Sequence, residues 1–459
     1  GKSLKIIILG AGTVGATLAS LLSQEENDVT VVDHNQAKLS HLEEEADINT
    51  IVGASSHPNI LVKADISNAD MVVAVTGSDE VNIVSCIIAK VLAKKVKTIA
   101  RIRETTYLKD KTLDAIRDGS IPVDIVVSPE QLITDQIRAL IDTPGSLQVL
   151  EFGEGLLNLV GVKADAGGPL TGHEIGDLRK HMPNVDTRVA AIFRSGNSIT
   201  PEGTTTIAEG DEVFFIARTK DAVKVINEMR SKSEPYKDVI LAGGGRIGIR
   251  LAEKIEKNHN VKIIESNPER AKKLSEKLLN TIVLEGNVSD KNLLHEENIE
   301  STDIFVAITN DDEANVMSCM LAKEMGVHKT VALINNPAYV ELVQDKGIDV
   351  AIAPSQITIG TFLSEVAGED VVKVYSLREG AAEAIEAVVN KPTNGKEGVV
   401  GKQLGDIKLP IGVTVGAILR RNKAKIAHDD VKLRENDHVI LFLTDKKLLK
   451  EVQGIFSPN

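Results

Sequence analysis

"KIIILGAGTVG" spans Lys5–Gly15, and "DVILAGGGRIG" spans Asp238–Gly248. Each stretch runs an apolar, β-branched segment into a GxGxxG turn, and an amphipathic segment follows. Phosphate binding needs backbone N–H groups that converge on one point. A strand-to-helix turn supplies them, and the helix N-terminus adds about half a positive charge. In such a turn Gly10 allows the reversal, Gly12 lets the backbone approach the phosphates, and Gly15 lets the helix pack close to the sheet. GxGxxG in isolation says little; here a strand precedes it, a helix follows, and an acid lies at the expected distance.

That acid is Asp33, which ends "DVTVVD" 23 residues after Gly10. A carboxylate there accepts hydrogen bonds from a ribose 2′-hydroxyl and repels a 2′-phosphate. Two like charges about 4 Å apart cost on the order of 4 kcal/mol at an effective dielectric of about 20. NAD(H) or an adenine nucleotide is therefore favoured over NADP(H), the alternative being a bare fold with an empty crevice. In the second stretch Glu265 ends "NVKIIE", and Arg246 stands in the turn where the first has Thr13. A guanidinium there would add charge-assisted contacts to a polyphosphate. Conversely, Arg101 in "ARIR" aligns with Leu333 in "ALIN", and Arg103 with Asn335. The two crevices are not equivalent: either they hold different nucleotides, or one nucleotide with different affinity, or the differences are drift at solvent-facing positions.

The second turn lies 233 residues after the first, and the correspondence extends further. Gly10, Gly12 and Gly15 map to Gly243, Gly245 and Gly248, and Gly53 maps to Gly286. "TGSDEVNIVSCIIAK" from Thr76 matches "TNDDEANVMSCMLAK" from Thr309. The pattern is a tandem duplication. In the first copy, strands are expected at Lys5–Leu9, Asp28–Val32, Asn49–Val52, Met71–Thr76, Thr98–Arg101 and Asp124–Val127. Short apolar runs of this kind suit strands buried on both faces. Val84, Ile87, Ile88 and Val91 follow the spacing of a packed helix face. A helix is expected from Ser128, echoed from Ala353, and the texture then changes to short alternating strands and turns. The fold class is α/β: two Rossmann-like, doubly wound parallel-sheet lobes, each followed by a small α+β lobe. The expected boundaries are 1–142, 143–229, a polar linker at 230–237, 238–367 and 368–459.

Composition narrows the function. The 459 residues carry 53 basic and 66 acidic side chains, a net charge of −13, with 3% aromatics and no Trp. No long Lys/Arg run is present, so nucleic acid and broad adsorption to anionic lipid are disfavoured. The two cysteines, Cys86 and Cys319, sit in apolar helical segments and read as small buried hydrophobes. No apolar run reaches the roughly 18–20 residues that span a bilayer, and no signal-peptide pattern opens the sequence. His57 reads as a loop residue. Asp311-Asp312-Glu313 and Asp79-Glu80 read as complements to helix N-termini, and no metal is expected. The small lobes hold only His173 and His181, and His428 and His438. None of these aligns between copies, so no shared acid/base suggests hydride transfer. Binding without turnover is the first reading; an NAD-dependent oxidoreductase is the alternative.

"KIIILGAGTVG", "VTVVD", "RVAAIFR", "AGGGRIG", "TNDDEAN" and "HVILFLTDKK" occur in order across both halves. The chain thereby resembles the tandem RCK/KTN family, the peripheral nucleotide-binding subunits of bacterial Trk potassium uptake. The resemblance implies a cytoplasmic regulator, peripheral to the inner face of the cell membrane, that forms a homotetramer beneath a TrkH-type membrane potassium transport protein. It implies NAD(H) as ligand, with ATP/ADP as further ligands, nucleotide identity biasing the channel between closed and open. By position, the first nucleotide would contact Gly10, Ala11, Gly12, Thr13, Val14, Gly15, Asp33, Thr76 and Arg101. The second would contact Gly243, Gly245, Arg246, Ile247, Gly248, Glu265 and Thr309. Related modules include some with Arg in the first turn; Thr13 departs from that. In related modules the helix after the sheet, here Ser128–Ile141, helps join neighbouring subunits.

Overall fold

Apolar runs of four to six residues with no polar face can only be buried from both sides, and here they pair in parallel. The computed structural model describes residues 3–343, 346–367, 371–377, 382–393, 395 and 397–458. Strands β1 (Lys5–Leu9), β2 (Asp28–Asp33), β3 (Asn49–Val52), β4 (Met71–Ala74), β5 (Lys97–Arg101) and β6 (Ile125–Val127) form one sheet in the order β3-β2-β1-β4-β5-β6. In register, Ile6 lies between Val29 and Met71. The order reverses between β1 and β4, which opens a crevice at the carboxyl ends of those strands.

An antiparallel sheet follows, from β7 (Ser146–Phe152), β8 (Leu157–Lys163), β9 (Thr187–Arg194), β10 (Asn197–Ile199) and β11 (Glu212–Arg218). The pattern then repeats. A second parallel sheet runs β14-β13-β12-β15-β16-β17, from β12 (Asp238–Ala242), β13 (Asn260–Glu265), β14 (Ile282–Glu285), β15 (Ile304–Ala307), β16 (Lys329–Leu333) and β17 (Val350–Ile352). The last sheet is antiparallel: β18 (Val371–Leu377), β19 (Ala382–Val388), β20 (Val413–Arg420), β21 (Lys423–Ile426) and β22 (His438–Leu443). The expected fold class is met. The expected start of the fourth lobe, residue 368, lies outside the described residues.

The chain forms two compact units that do not follow sequence order: Gly1–Glu130 with Ser355–Gly368, and Gln131–Pro354 with Glu369–Asn459. The first unit holds the first parallel sheet and nearly all of the helix Pro354–Ala367, whose Glu365 carbonyl accepts a hydrogen bond from Lys97 Nζ at 3.3 Å. The second unit holds the other three sheets and most of the helix Pro129–Asp142, whose Asp135 pairs with Lys254 at 2.6 Å. Each closing helix thus belongs to the unit that contains the other copy's parallel sheet.

In the second unit the two antiparallel sheets share one apolar core. Phe193 and Phe214 meet Phe442 with ring centroids 6.3 and 5.7 Å apart, and Phe152 meets Tyr375 edge-on at 5.2 Å. Lys329, at the start of β16, donates from Nζ to the Ser146 carbonyl and lies 5.7 Å from the Tyr236 ring centre. Burial pushes this ammonium down to about 7. Asp349 opposes the shift, while Arg230 and Lys323 add to it.

One expectation fails on the helix Asp79–Leu92. Val84 is 43% and Val91 70% exposed, and the buried face is Asn82, Ser85, Cys86 and Ala89. Small residues sit against the sheet; Val84 and Val91 point outward, while Ile88 is partly buried against the core. The second copy repeats this, with Met317 60% exposed.

Two predictions follow from the packing. A Cβ on Gly15 would lie 1.9 Å from the Gly10 carbonyl oxygen. Gly15→Ala should therefore destabilise the first unit by more than about 2 kcal/mol, whereas Gly12→Ala should stay within about 0.5 kcal/mol in thermal unfolding. For Lys329, the folded state releases its proton at a lower pH than the unfolded state does. Below about 7 both states are protonated and the burial cost is fully present. Stability of the second unit should rise as pH climbs from there towards the ordinary lysine value of about 10.4. Lys329→Met should flatten that rise, as read by denaturant unfolding across the pH range.

Candidate functional site

Both GxGxxG turns adopt one geometry. Gly10 and Gly243 have φ of +112° and +125°, which L side chains rarely adopt. A Cβ on Gly10 would also lie 2.9 Å from the Val75 carbonyl oxygen, so β1 and the loop after β4 meet there. Gly15 and Gly248 sit against the carbonyls of Gly10 and Gly243. Gly53 and Gly286 have a different role: a Cβ would strike Ile60 and Leu293, so these two glycines admit a packed side chain.

Gly12 and Gly245 differ from all of these. Gly12 has φ −70° and ψ −173°, Gly245 φ −72° and ψ −164°, and a Cβ at either would meet nothing within 4 Å. The described residues leave room for a Cβ at both positions. Both positions cap a helix, Thr13–Gln24 and Arg246–Ile255, with no side-chain hydrogen bond and no acid in the first turn. Other helices in the same lobes are capped: Asn35 accepts from Lys38 N, Ser78 from Val81 N and Asp311 from Ala314 N. The amides of Thr13, Val14 and Gly15, and of Ile247 and Gly248, are first-turn donors with no intrahelical acceptor. Thr13 and Arg246 are exposed at the opening.

The acids close the far side of each turn. Asp33 is buried at the end of β2, and its Oδ2 accepts from Ala11 N at 2.8 Å and its Oδ1 from Asn35 N at 2.7 Å. Glu265 repeats this with Gly244 N at 3.1 Å and Asn267 N at 2.9 Å, and it pairs with Arg270 at 3.1 Å. Burial alone would raise the Glu265 carboxyl. The Asn267 amide, the Arg270 guanidinium and the Gly244 amide outweigh it and hold the group below the usual carboxylate range. Arg270 corresponds to Lys38: each donates its amide to the capping asparagine, Asn267 or Asn35. In the first crevice Asp33 is held by two amides, with His34 Nδ1 3.7 Å from Oδ1, and in the second Glu265 carries a guanidinium ion pair.

Thr76 and Thr309 follow β4 and β15 and are held by a residue the sequence reading missed. Buried Asn82 accepts from Thr76 N at 2.9 Å and from Thr76 Oγ1 at 2.6 Å, and its Nδ2 donates to the Arg101 carbonyl at 2.9 Å. Asn315 repeats the set with Thr309 and the Leu333 carbonyl. The available signal was the shared Asn in "DEVN" and "DEAN" at the repeat offset. Arg101, expected at a ligand, lies buried under the loop, and its Nη2 donates to the carbonyls of Val75 and Thr76 at 3.0 and 2.9 Å. Burial, and then Arg103, lower its pKa to about 10. The first-copy positions are thus linked as one network around the carboxyl ends of β1, β2, β4 and β5. Gly243, Gly245, Arg246, Ile247, Gly248, Glu265 and Thr309 form the same arrangement at β12, β13 and β15, without the arginine.

The remaining candidates have local roles. Cys86 and Cys319 are fully buried, and burial pushes both thiols up. Asp79 accepts from the amides of Arg103 and Glu104, and Asp312 from those of Asn335 and Asn336, fixing the loops after β5 and β16. His57 occupies the N-cap position of the helix Pro58–Lys63, with no capping hydrogen bond from its side chain. His181 pairs with Glu228, His428 with Asp186 and His438 with Glu386, all in the small lobes. His173 meets His181 edge-on, with ring centroids 6.5 Å apart.

Family models of the TrkA-N domain match residues 6–129 and 239–354, and the TrkA-C domain model matches residues 159–230. The "Trk system potassium uptake protein TrkA" of Halomonas elongata is 53% identical over 99% of this chain and 98% of its own. The protein of the same name from Vibrio alginolyticus is 49% identical over 99% of both. Among solved structures, the GsuK RCK domain aligns with TM-score 0.62 at 18% identity over 99% of this chain and 95% of that one. The GsuK channel bound to NAD aligns with TM-score 0.59 at 18% identity over 99% and 79%. At this identity the likeness is one of fold. The full-length identity to the named relatives and the match of both copies to the N-domain model lead to one statement: this chain belongs to the Trk system potassium uptake protein TrkA family.

Proposed function

We propose that this chain is a nucleotide-sensing regulatory subunit whose two crevices bind NAD(H) or ATP/ADP and bias a TrkH-type membrane potassium transporter between conducting and closed states. One observation carries the reading: among the described residues, nothing lies where a Cβ at 12 or at 245 would stand. A better helix cap such as Ser or Asp would fit sterically at both places and would stabilise the helix start. A guest pressed against the backbone is what excludes them. Converging, uncapped amides and a carboxylate at ribose distance suit a pyrophosphate joined to a nucleoside. The naming of a fold neighbour as a channel bound to NAD agrees with this.

The guest acts through the network it touches. Gly12 to Gly15 move with the first helix, Asp33 ties that turn to β2, and Arg101 with Asn82 ties the Thr76 loop to β5. Nucleotides that prefer different spacings of these parts shift the population of subunit shapes in proportion to their differential affinity. No chemical change in the guest is needed. Self-assembly as a homotetramer is supported by the outward apolar rows at Val84 and Val91 and at Met317, which water disfavours. No helix among the described residues is long and apolar enough to cross a membrane, which suits a cytoplasmic subunit held at the membrane by its partner.

The crevices are proposed to differ in guest. Asp33 offers its carboxylate to a ribose. Glu265 is already paired with Arg270, and Arg246 adds a cation at the mouth, so the second crevice suits a guest richer in phosphate charge. Gly12→Asp and Gly245→Asp each place a carboxylate in open space where the phosphates would lie. Calorimetric titration should show each variant losing one site, with at least about a hundredfold weaker binding there. Gly12→Asp should cost more NADH affinity and Gly245→Asp more ATP affinity; identical loss profiles would count against the asymmetry. With the membrane subunit reconstituted in vesicles, potassium flux should depend on this chain and change between NADH, NAD⁺, ATP and ADP. Flux indifferent to nucleotide, or steady NADH production from NAD⁺ and a hydroxy acid, would count against the proposed role.

A further inference from the structure

The small lobe of the second copy carries a cleft of 420 Å³ lined by Gly401, Arg420, Lys425, Asp430, Lys432 and Arg434 among others. Its floor is rigid. Arg420 Nε and Nη2 bind the two oxygens of buried Asp437 at 2.8 and 2.9 Å, Nη2 also donates to the Lys432 carbonyl, and Asp437 Oδ2 accepts from Arg434 N at 2.8 Å. The first copy has the same frame: Arg194 binds Asp211 at 2.8 and 2.9 Å and donates to the Thr206 carbonyl, and Ala208 N donates to Asp211.

The frame is shared, but its decoration is not. In register with Arg194, the places of Lys425, Lys432 and Arg434 are taken in the first copy by Ile199, Thr206 and Ala208. Asp437 neutralises Arg420, so the three exposed cations set against Asp430 leave an excess of about two positive charges on a chain whose net charge is −13. Folding does not demand them, because the first copy builds the same scaffold without them. The volume falls in the range of small-ligand sites, about 300–1,000 Å³. The acidic net charge repels extended polyanions and anionic bilayers and leaves a compact anion as the better match.

We propose that this cleft binds a small, soluble, phosphate-bearing anion, as a site separate from the two glycine-turn crevices and independent of what those hold. Lys425, Lys432 and Arg434 would embrace the phosphate above the Arg420–Asp437 floor.

The test uses the full chain, saturated with NADH, titrated with inorganic pyrophosphate at constant ionic strength by calorimetry. The wild type should show pyrophosphate binding that the triple variant K425I/K432T/R434A weakens by at least about tenfold. Those replacements are the first copy's own residues, and unfolding midpoints should be unchanged. The single variant Lys432→Thr, which alters one exposed side chain, should weaken binding several-fold should the triple variant fold poorly. The reciprocal variant I199K/T206K/A208R should gain a pyrophosphate site in the first copy. Equal affinity in the wild type and the triple variant, or no pyrophosphate binding to the wild type, overturns the proposal. Sedimentation with phosphatidic acid vesicles that depends on the same three cations, without pyrophosphate binding, assigns the cleft to a lipid headgroup and overturns the soluble-anion reading. Because NADH occupancy is measured separately, failure of the crevice reading and failure of this one give different results.

Discussion

At two places in this chain a helix backs onto the strand that precedes it so closely that only a hydrogen fits between them. A methyl on Gly15 or Gly248 would lie 1.9 or 2.1 Å from the carbonyl oxygen of Gly10 or Gly243. That approach fixes everything downstream. It holds the first turn of the helix over the carboxyl end of the sheet, with its amides directed at the gap where strand order reverses. It forces positive φ at the first glycine, and it brings the turn against the loop after β4 or β15. The middle glycine is then the member of the motif whose Cβ position no described residue occupies, and for that reason the one that reports on a guest.

Around this junction the two copies have kept the frame and changed the fittings. The buried asparagines, the amide-bound acids and the aspartates that hold the loops after β5 and β16 recur almost atom for atom. What differs is charge: Arg101 lies under the first crevice and Leu333 under the second, and Thr13 stands opposite Arg246. The small lobes behave likewise, with one Arg–Asp brace carrying two different sets of side chains. Duplication lets one copy hold the scaffold while the other explores chemistry, and the positions that differ on an unchanged frame are where function should be sought.

Much of this was legible in the sequence because it is local. Glycine spacing, the acid closing β2, the repeat offset and the β-branched runs are set by a few neighbouring residues, and the strands fall within one or two residues of expectation. Nonlocal features were not legible. The row Val84, Ile87, Ile88 and Val91 has helical spacing, but periodicity cannot say whether a stripe faces the sheet or the solvent. Cys86 and Ala89 take the inner face. Arg101 reads as a ligand contact from its place at a strand end, yet its guanidinium turns inward to two carbonyls. The exchange of closing helices depends on contacts between residues as far apart as Lys97 and Glu365, which no window of sequence contains.

The most direct measurement is a structure of the full chain at saturating NADH and, separately, at saturating ATP. The account predicts a diphosphate at each glycine turn, its oxygens about 2.7–3.2 Å from first-turn amides, with a ribose hydroxyl on Asp33 in the first crevice and a visible change in the Thr76 loop between guests. Both crevices vacant at saturation, or one protein shape whichever nucleotide is present, would contradict it.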